Sequence, residues 1–456
     1  MGKKFDFDII VIGSGPAGSA AALTLAKAKK RVAVIEGGAW GGTDFCTRKI
    51  PYAASRQFAK LVTEIRRGGK FGLSALNLHF NLPTAIAWQR AVVKNASDGC
   101  KKKFEEAKVT CIDGYANFLD AHTVAVGDKK YTANEFILAT GAKASTIEIA
   151  GAERVMHLTP ETALRLRRVP KAVLVVGGGK SGCETAEYFA ELGSKVLIME
   201  ASERLLPRED AEVGATIADY FANNLGMMVL LNTRVVALEE DTNGRRVVFM
   251  SKKGEKAVRI DTIVLATGSK AVTDYGLENV GVKYRKSGIV VDKTLKTTAK
   301  NIYAVGRAID VRVTDEKAAY QGTFLANSLA TKSKNLLDYH GFMRVVNTYP
   351  EVAIVGLTED ELTRRGRKYR KAIVYLGDAV ASKIGEFEKG FVKIIVDGNN
   401  KIIGATVVAP EASLIIQELA VAVRHHLSAL EIASTPHVMD SFAEAVKLAA
   451  RKLVKK

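Results

Sequence analysis

Long apolar runs are missing from this 456-residue chain: 47% of it is apolar, yet no segment of about twenty apolar residues occurs, which excludes a membrane-spanning helix. Cysteine is scarce. The four present (Cys46, Cys100, Cys111 and Cys183) are scattered without C-x-x-C spacing, which argues against a zinc site and a disulfide framework, so they read as reduced thiols. Aromatics reach only 7% and no nucleic-acid-binding signature is present, so nucleic acid is not expected as a partner. A secretory signal is not expected either. The N-terminus, MGKKFDFDIIVIGSG, sets two lysines before an apolar run, but Asp8 interrupts that run and it passes into a glycine turn. It therefore reads as a first strand, and a cytoplasmic protein is expected.

Acidic residues are in deficit, with 49 Asp and Glu against 67 Lys and Arg and a net charge of +18. The densest basic run, Arg364, Arg365, Arg367, Lys368, Arg370 and Lys371, reads as a solvated loop or strand edge. Weak contact with an anionic membrane surface or with an acidic protein is the other reading of that charge. At this length the chain should divide into two to four domains.

What is present is organised around Phe7 to Glu36, an apolar strand, a glycine turn, an Ala/Leu helix and a second strand ending in an acid. Gly13, Gly15 and Gly18 fall at G-x-G-x-x-G spacing, which permits a tight turn, close approach of backbone to a pyrophosphate, and packing of helix on strand. Glu36 is placed to accept from a ribose hydroxyl. The pattern repeats from Ala172 to Glu200, with Gly177, Gly179 and Gly182 in the turn and Glu200 closing the second strand. A carboxylate there accepts from a free 2'-hydroxyl and repels a 2'-phosphate, so NADH is expected over NADPH. Two such units imply two dinucleotides, naturally FAD and NAD(P)H, and a flavin that relays electrons.

Between the two units lies Trp40 to Ala53, W-G-G-T-D-F-C-T-R-K-I-P-Y-A. With the first glycine motif, this segment resembles the FAD-dependent pyridine nucleotide-disulfide oxidoreductases, the family of dihydrolipoamide dehydrogenase, glutathione reductase and mercuric reductase. Gly41, Gly42, Thr43 and Pro51 match in register, whereas Asp44 and Lys49 stand where the family carries its redox cysteines, and Ala53 stands where it carries a lysine. The resemblance implies further FAD contacts at Gly42, Thr43, Gly114, Ala116, Thr140 and Gly141. It also implies a contact at Gly306 and the next residue, where the family's ribityl-binding aspartate is replaced by Arg307, with Asp310 as a substitute acceptor. Glu184 matches the family's flavin-side glutamate, and Lys180 replaces a tyrosine that often gates the nicotinamide. In the family's terminal His-Pro-Thr-x-x-Glu motif, aligning on Glu444 puts Met439 at the acid-base histidine and leaves His437 as the nearest imidazole; the other reading of His437 is a structural interface residue.

The expected fold is α/β, with two Rossmann-like dinucleotide-binding domains and a C-terminal α+β dimerisation domain. The expected divisions are 1–150 for FAD, 151–270 for NAD, 271–340 completing the FAD site, and 341–456 as a homodimer interface. The candidate catalytic residues are Lys49, Asp44, Glu184 and His437, and no metal site is expected. Asp44 and Lys49 are positioned to form an ion pair where the disulfide would be, with Lys49 beside the flavin, or else both face solvent. The expected activity is oxidation of NADH with direct transfer from flavin to a small acceptor such as a quinone, a dye or oxygen. Transhydrogenation between NAD and NADP, and a nucleotide-binding scaffold or sensor, are the alternatives.

Overall fold

The computed structural model describes residues 5–74, 78–145, 149–242, 244–333, 336–385 and 387–454, so the two leading lysines of the N-terminus lie outside the described residues. The chain forms two compact units, each assembled from separated segments: residues 1–147, 164–168 and 268–338 in the first, and 148–163, 169–267 and 339–456 in the second. No helix among the described residues is long and apolar enough to cross a membrane.

In the first unit the apolar strand Phe7–Ile12 sits mid-sheet, parallel to Val32–Glu36 on one side and Lys129–Leu138 on the other. Thr110–Asp113 extends the sheet beyond Val32–Glu36, and Ile302–Ala304 returns from far along the chain to pair in parallel with Phe136, Ile137 and Leu138. Burial on both faces explains why the central strands read as continuous Val and Ile runs rather than alternating ones. The stretch from Val109 to Val126 holds three strands, Thr110–Asp113, Ala116–Asp120 and Thr123–Val126, the last two forming an antiparallel meander with Lys129–Leu138. Helix Pro16–Lys27 packs against helix Asp315–Thr331 closely enough that a Cβ on Gly322 would lie 2.1 Å from the Ala17 carbonyl oxygen. Only glycine permits that approach.

The second unit repeats the parallel arrangement on a smaller scale, in the order Met228–Leu230, Lys195–Met199, Ala172–Val176, Thr262–Leu265. The same unit also holds a three-stranded antiparallel sheet, Arg234–Asp241, Gly244–Ser251 and Gly254–Arg259, and a five-stranded antiparallel sheet ordered Met343–Val346, Glu351–Gly356, Ile402–Ala409, Phe391–Val396 and Arg370–Tyr375. Helices Ala412–Arg424, Ala429–Ser434 and Glu444–Leu453 follow. The basic run ends in Arg370–Tyr375, an edge strand, with Lys371 bridging Glu359 at 2.7 Å. The interior strand Phe391–Val396, next to that edge, is buried along its whole length and carries a lysine, Lys393. This side chain is fully buried with its Nζ 2.6 Å from Asp210 and 2.7 Å from Glu359, so an interior ammonium ties sheet, helix start and loop together.

Candidate functional site

The two glycine turns are built alike. Gly13 and Gly177 have φ of +101° and +106°, a region costly for any side chain. A Cβ on Gly18 would lie 1.9 Å from the Gly13 carbonyl oxygen, and one on Gly182 1.8 Å from that of Gly177, so each helix is seated directly on its turn. Both helices start without a side-chain cap and without an acid in the first turn, which leaves their first amides for an anion. A Cβ on Gly179 would meet nothing within 4 Å, and one on Gly15 only Gly42 at 3.9 Å, leaving the space a pyrophosphate needs. The residues present therefore fit a dinucleotide at each turn.

Glu36 and Glu200 occupy equivalent places. Glu36 Oε2 accepts from the Ser14 amide at 2.8 Å and Ser14 Oγ at 2.6 Å, and its Oε1 from the Gly38 amide at 2.8 Å. Glu200 Oε2 accepts from the Gly178 amide at 2.6 Å and Oε1 from the Ser202 amide at 2.7 Å. Each carboxylate shapes its own loop and keeps lone pairs for a ribose hydroxyl. The loop partners, Ser14 and Gly178, are absent from the motif reading, although both stand 22 residues before their acid.

Several residues singled out in the sequence converge on the first turn. Gly42, at φ +95°, approaches so closely that a Cβ on it would lie 2.5 Å from the Gly15 Cα. Thr43 Oγ1 is 2.9 Å from where a Cβ on Gly38 would stand. The Gly114 amide donates to the Glu36 carbonyl at 2.8 Å, and Ala116, two residues on, is buried. Thr140 follows Ala139, whose carbonyl faces Gly13, and the Gly141 carbonyl accepts from the Val272 amide. Gly306 donates its amide to Gln321 Oε1 at 2.7 Å.

The expected pairing of Asp44 with Lys49 does not form. Arg48 grips Asp44 with its planar fork, Nε to Oδ1 at 2.8 Å and Nη2 to Oδ2 at 2.9 Å, and Arg307 Nη1 adds a contact at 2.7 Å. Lys49 turns instead to Asp315 at 2.9 Å and Glu316 at 3.0 Å, in the first turn of helix Asp315–Thr331. With two carboxylates on it, Lys49 does not present a lone positive charge. The five residues Phe45–Lys49 form a π-helical turn ahead of helix Ile50–Arg67. Burial pushes the Asp44 carboxyl up, but Arg48 and Arg307 outweigh it and hold it down at about 2. A carboxylate depressed on folding stabilises the fold above its unfolded value and loses that contribution as pH falls through the folded one. Asp44→Asn is thus expected to cost about 2 kcal/mol at neutral pH. In urea denaturation, the gap from wild type should close as pH falls from about 4 to about 2.

Arg307 is a connector rather than a vacant substitution: besides Asp44 it reaches Ser269 Oγ at 2.8 Å and the Val311 carbonyl at 3.1 Å. Asp310 is not a free substitute acceptor, because Arg312 clamps both of its carboxylate oxygens. Arg307→Asp would set two carboxylates against each other at Asp44, and weaker flavin retention is the expected result. Fluorescence of released flavin on dilution measures it.

In the second unit Glu184 is buried and accepts from the Asn347 amide and Nδ2, both at 3.0 Å, with Lys180 Nζ at 3.9 Å. His437 has a carboxylate partner that the motif did not point to: Nε2 lies 3.0 Å from Glu418 Oε2, with Nδ1 2.9 Å from the Thr435 carbonyl. A carbonyl only accepts, so Nδ1 carries a proton. All four thiols are free and all are pushed up, by burial first: Cys46 to about 11, and Cys100, Cys111 and Cys183 in the same direction. None is a poised thiolate. No group of side chains suited to hold a metal occurs among the described residues.

Known proteins share this architecture. The profile of the pyridine nucleotide-disulphide oxidoreductases matches residues 7–323, and that family's dimerisation domain matches residues 342–450. The dihydrolipoyl dehydrogenase of Bacillus subtilis is 30% identical, covering 97% of this chain and 95% of its own. The mercuric reductase of Streptomyces lividans is 31% identical over 98% and 96%. Among solved structures, LpdA from Mycobacterium tuberculosis superposes with a TM-score of 0.89 at 27% identity, over 98% of this chain and all of that one. RclA from Escherichia coli, a flavoprotein disulfide reductase induced by HOCl, gives 0.86 at 25% identity, over 98% and 100%. With two dinucleotide turns, their buried acids and a C-terminal dimerisation sheet in one chain, this protein belongs to the pyridine nucleotide-disulphide oxidoreductase family, whose members are FAD- and NAD(P)H-dependent flavoproteins.

Proposed function

We propose that this protein oxidises NADH and delivers the electrons from its flavin directly to a small acceptor, a quinone, a dye or oxygen, without a redox disulfide. The observation that carries this reading is the pair of separate ion clusters at Asp44 and Lys49, the positions aligned with the family's cysteines, together with four thiols that burial holds protonated. FAD, when bound, supplies the reversible two-electron carrier. The chain's own residues do the rest. Gly13, Gly15, Gly18, Gly42 and Thr43 shape the first site around the amides of helix Pro16–Lys27, and Gly177, Gly179 and Gly182 shape the second. Gly114, Ala116, Thr140, Gly141 and Gly306 complete the flavin side, in a molecule divided as 1–150, 151–270, 271–340 and 341–456. Asp44 with Arg48 and Arg307, and Lys49 with Asp315 and Glu316, form two separate ion clusters in place of a covalent link, and Glu184 and His437 remain the acid-base candidates of the second unit. Two electrons and one proton leave NADH, and a quinone acceptor takes its second proton from solvent.

Anaerobic mixing with NADH tests the first half and an acceptor screen the second. Rapid loss of the yellow flavin absorbance, with turnover on quinones and dyes and poor turnover on lipoamide, glutathione disulfide and mercuric ion, is expected. Robust disulfide reduction would overturn the register at Asp44 and Lys49, and an unreduced flavin would make the protein a nucleotide-binding scaffold.

Glu200 underlies the preference for NADH. Because its oxygens also hold the Gly178 and Ser202 amides, Glu200→Gln is the informative change, keeping an acceptor while removing the charge. It should narrow the NADH over NADPH ratio in kcat/KM by about ten-fold, the equivalent of 1.4 kcal/mol. A wild type that uses NADPH equally well refutes the argument.

A further inference from the structure

The helix that follows the second glycine turn, Lys180–Glu191, buries three acids, Glu184, Glu187 and Glu191, spaced so that they share one face. Buried carboxylates need donors, and two of the three are met by one short segment of the C-terminal sheet. The Asn347 amide and Nδ2 both donate to Glu184 Oε1 at 3.0 Å, and the Tyr349 amide donates to Glu187 Oε1 at 2.6 Å. Both residues lie in the connection between strands Met343–Val346 and Glu351–Gly356. That connection is itself well fixed. Thr348 is buried and donates to the Pro350 carbonyl at 2.8 Å, and the Tyr349 ring packs against Tyr220 and Phe387 with centroids at 5.8 Å and 5.4 Å.

The same segment holds the loop that Glu200 begins. Arg344 Nη2 lies 2.9 Å from Oε2 of the buried Glu209, near the end of that loop, and Lys393 of the same sheet holds the next residue, Asp210. The loop returns to the glycine turn. The Leu206 amide donates to the Gly178 carbonyl at 2.8 Å, while the Gly178 amide donates to Glu200 Oε2 at 2.6 Å, so the middle residue of the turn is gripped through both of its backbone groups. The Glu209 amide donates in turn to the Leu206 carbonyl at 2.9 Å, which puts the residue that Arg344 holds one hydrogen bond away from the residue that holds Gly178. There is little slack between loop and turn: a Cβ on Gly178 would lie 2.6 Å from Leu205 Cδ2. The helix and the rim of one nucleotide site therefore both hang on residues 344–349. We propose that Arg344 and Asn347 are positioning residues for the pyridine nucleotide, Arg344 setting the rim through Glu209 and Asn347 setting, through Glu184, the helix whose first amides receive the diphosphate. NADH affinity is then governed from the C-terminal sheet as well as from the glycine turn. This rests on the reading of the second turn as the NADH site.

ADP-ribose, which has the diphosphate and both riboses but no nicotinamide, separates binding from turnover. Titrated calorimetrically into the full-length holoprotein, it should bind Arg344→Met and Asn347→Asp about ten-fold more weakly than wild type, with flavin content unchanged. In anaerobic mixing, Arg344→Met should need about ten-fold more NADH for half-maximal flavin reduction while the limiting rate stays within about two-fold, the split expected of a residue that places the nucleotide without joining hydride transfer. Asn347→Asp sets a carboxylate where an amide donated to Glu184. Adding Glu184→Gln restores a donor facing an acceptor, so the double variant should regain most of the lost ADP-ribose affinity. Gly182→Ala is the control for the site itself. If it loses ADP-ribose while Arg344→Met and Asn347→Asp bind like wild type, or if Glu184→Gln restores nothing, positioning by this segment is overturned and the NADH site stands. If Gly182→Ala binds ADP-ribose as well as wild type does, the second turn is not the NADH site and the inference falls with that reading.

Discussion

Lys393→Met is expected to destabilise the second unit by about 3–5 kcal/mol, the usual cost of removing one partner from a buried ion cluster. The Lys393 ammonium lies within 3.4 Å of three carboxylates, Asp210, Glu359 and Glu212, and its side chain has no exposure to solvent. Methionine fills a similar volume, so the loss is electrostatic rather than steric. Burial pushes the Glu359 carboxyl up, but Lys371 and Lys393 more than offset it and hold it low. By linkage, Glu359 contributes stability above its unfolded value and loses it as pH falls, so the deficit of the variant should shrink between neutral pH and about pH 4. Urea denaturation followed by circular dichroism measures both. A deficit unchanged over that range would mean that the variant suffers from packing and not from stranded charge. Adding Asp210→Asn and Glu359→Gln to Lys393→Met should restore much of the stability, since a neutral cluster costs less to bury than an unpaired one.

Gly18→Ala and Gly182→Ala form the second test, one methyl group in each turn with different consequences. The new Cβ would sit 1.9 Å from the Gly13 oxygen or 1.8 Å from the Gly177 oxygen, distances no side chain tolerates, and the obstacle is backbone in both cases. Each helix must lift from its turn, carrying its first amides away from a bound pyrophosphate. The expected outcomes separate the sites: Gly18→Ala purifies without flavin, while Gly182→Ala remains yellow and needs at least about a hundred-fold more NADH for half-maximal flavin reduction, as a loss of roughly 3 kcal/mol implies. Loss of flavin from Gly182→Ala, with retention in Gly18→Ala, would reverse the assignment of FAD to the first turn.

How far the sequence discloses this molecule depends on how local the determinants are. Gly13, Gly18 and Glu36 are legible because the turn, the seated helix and the acid lie within one short βαβ segment, and the same spacing repeats at Gly177, Gly182 and Glu200. The C-terminal sheet is legible from runs such as Phe391 to Val396. What governs Asp44 and Lys49 is not local. Their partners Arg307, Asp315 and Glu316 lie more than 260 residues further on, and Arg48 competes through the bidentate geometry of its guanidinium, which spacing does not reveal. Lys393 reads as an ordinary strand charge until Asp210 and Glu359 are seen around it. Glu418 is hidden for a similar reason, since it reaches His437 from a neighbouring helix rather than from the terminal motif.

The acids that close the two βαβ segments carry a kinetic consequence. Glu36 and Glu200 already hold the amides of Ser14, Gly38, Gly178 and Ser202, so neither loop has to be ordered by the nucleotide it receives. Association then proceeds as docking onto a preformed rim. Arrival rates should differ little between NADH and its analogues, and selectivity should be written in how long each one stays.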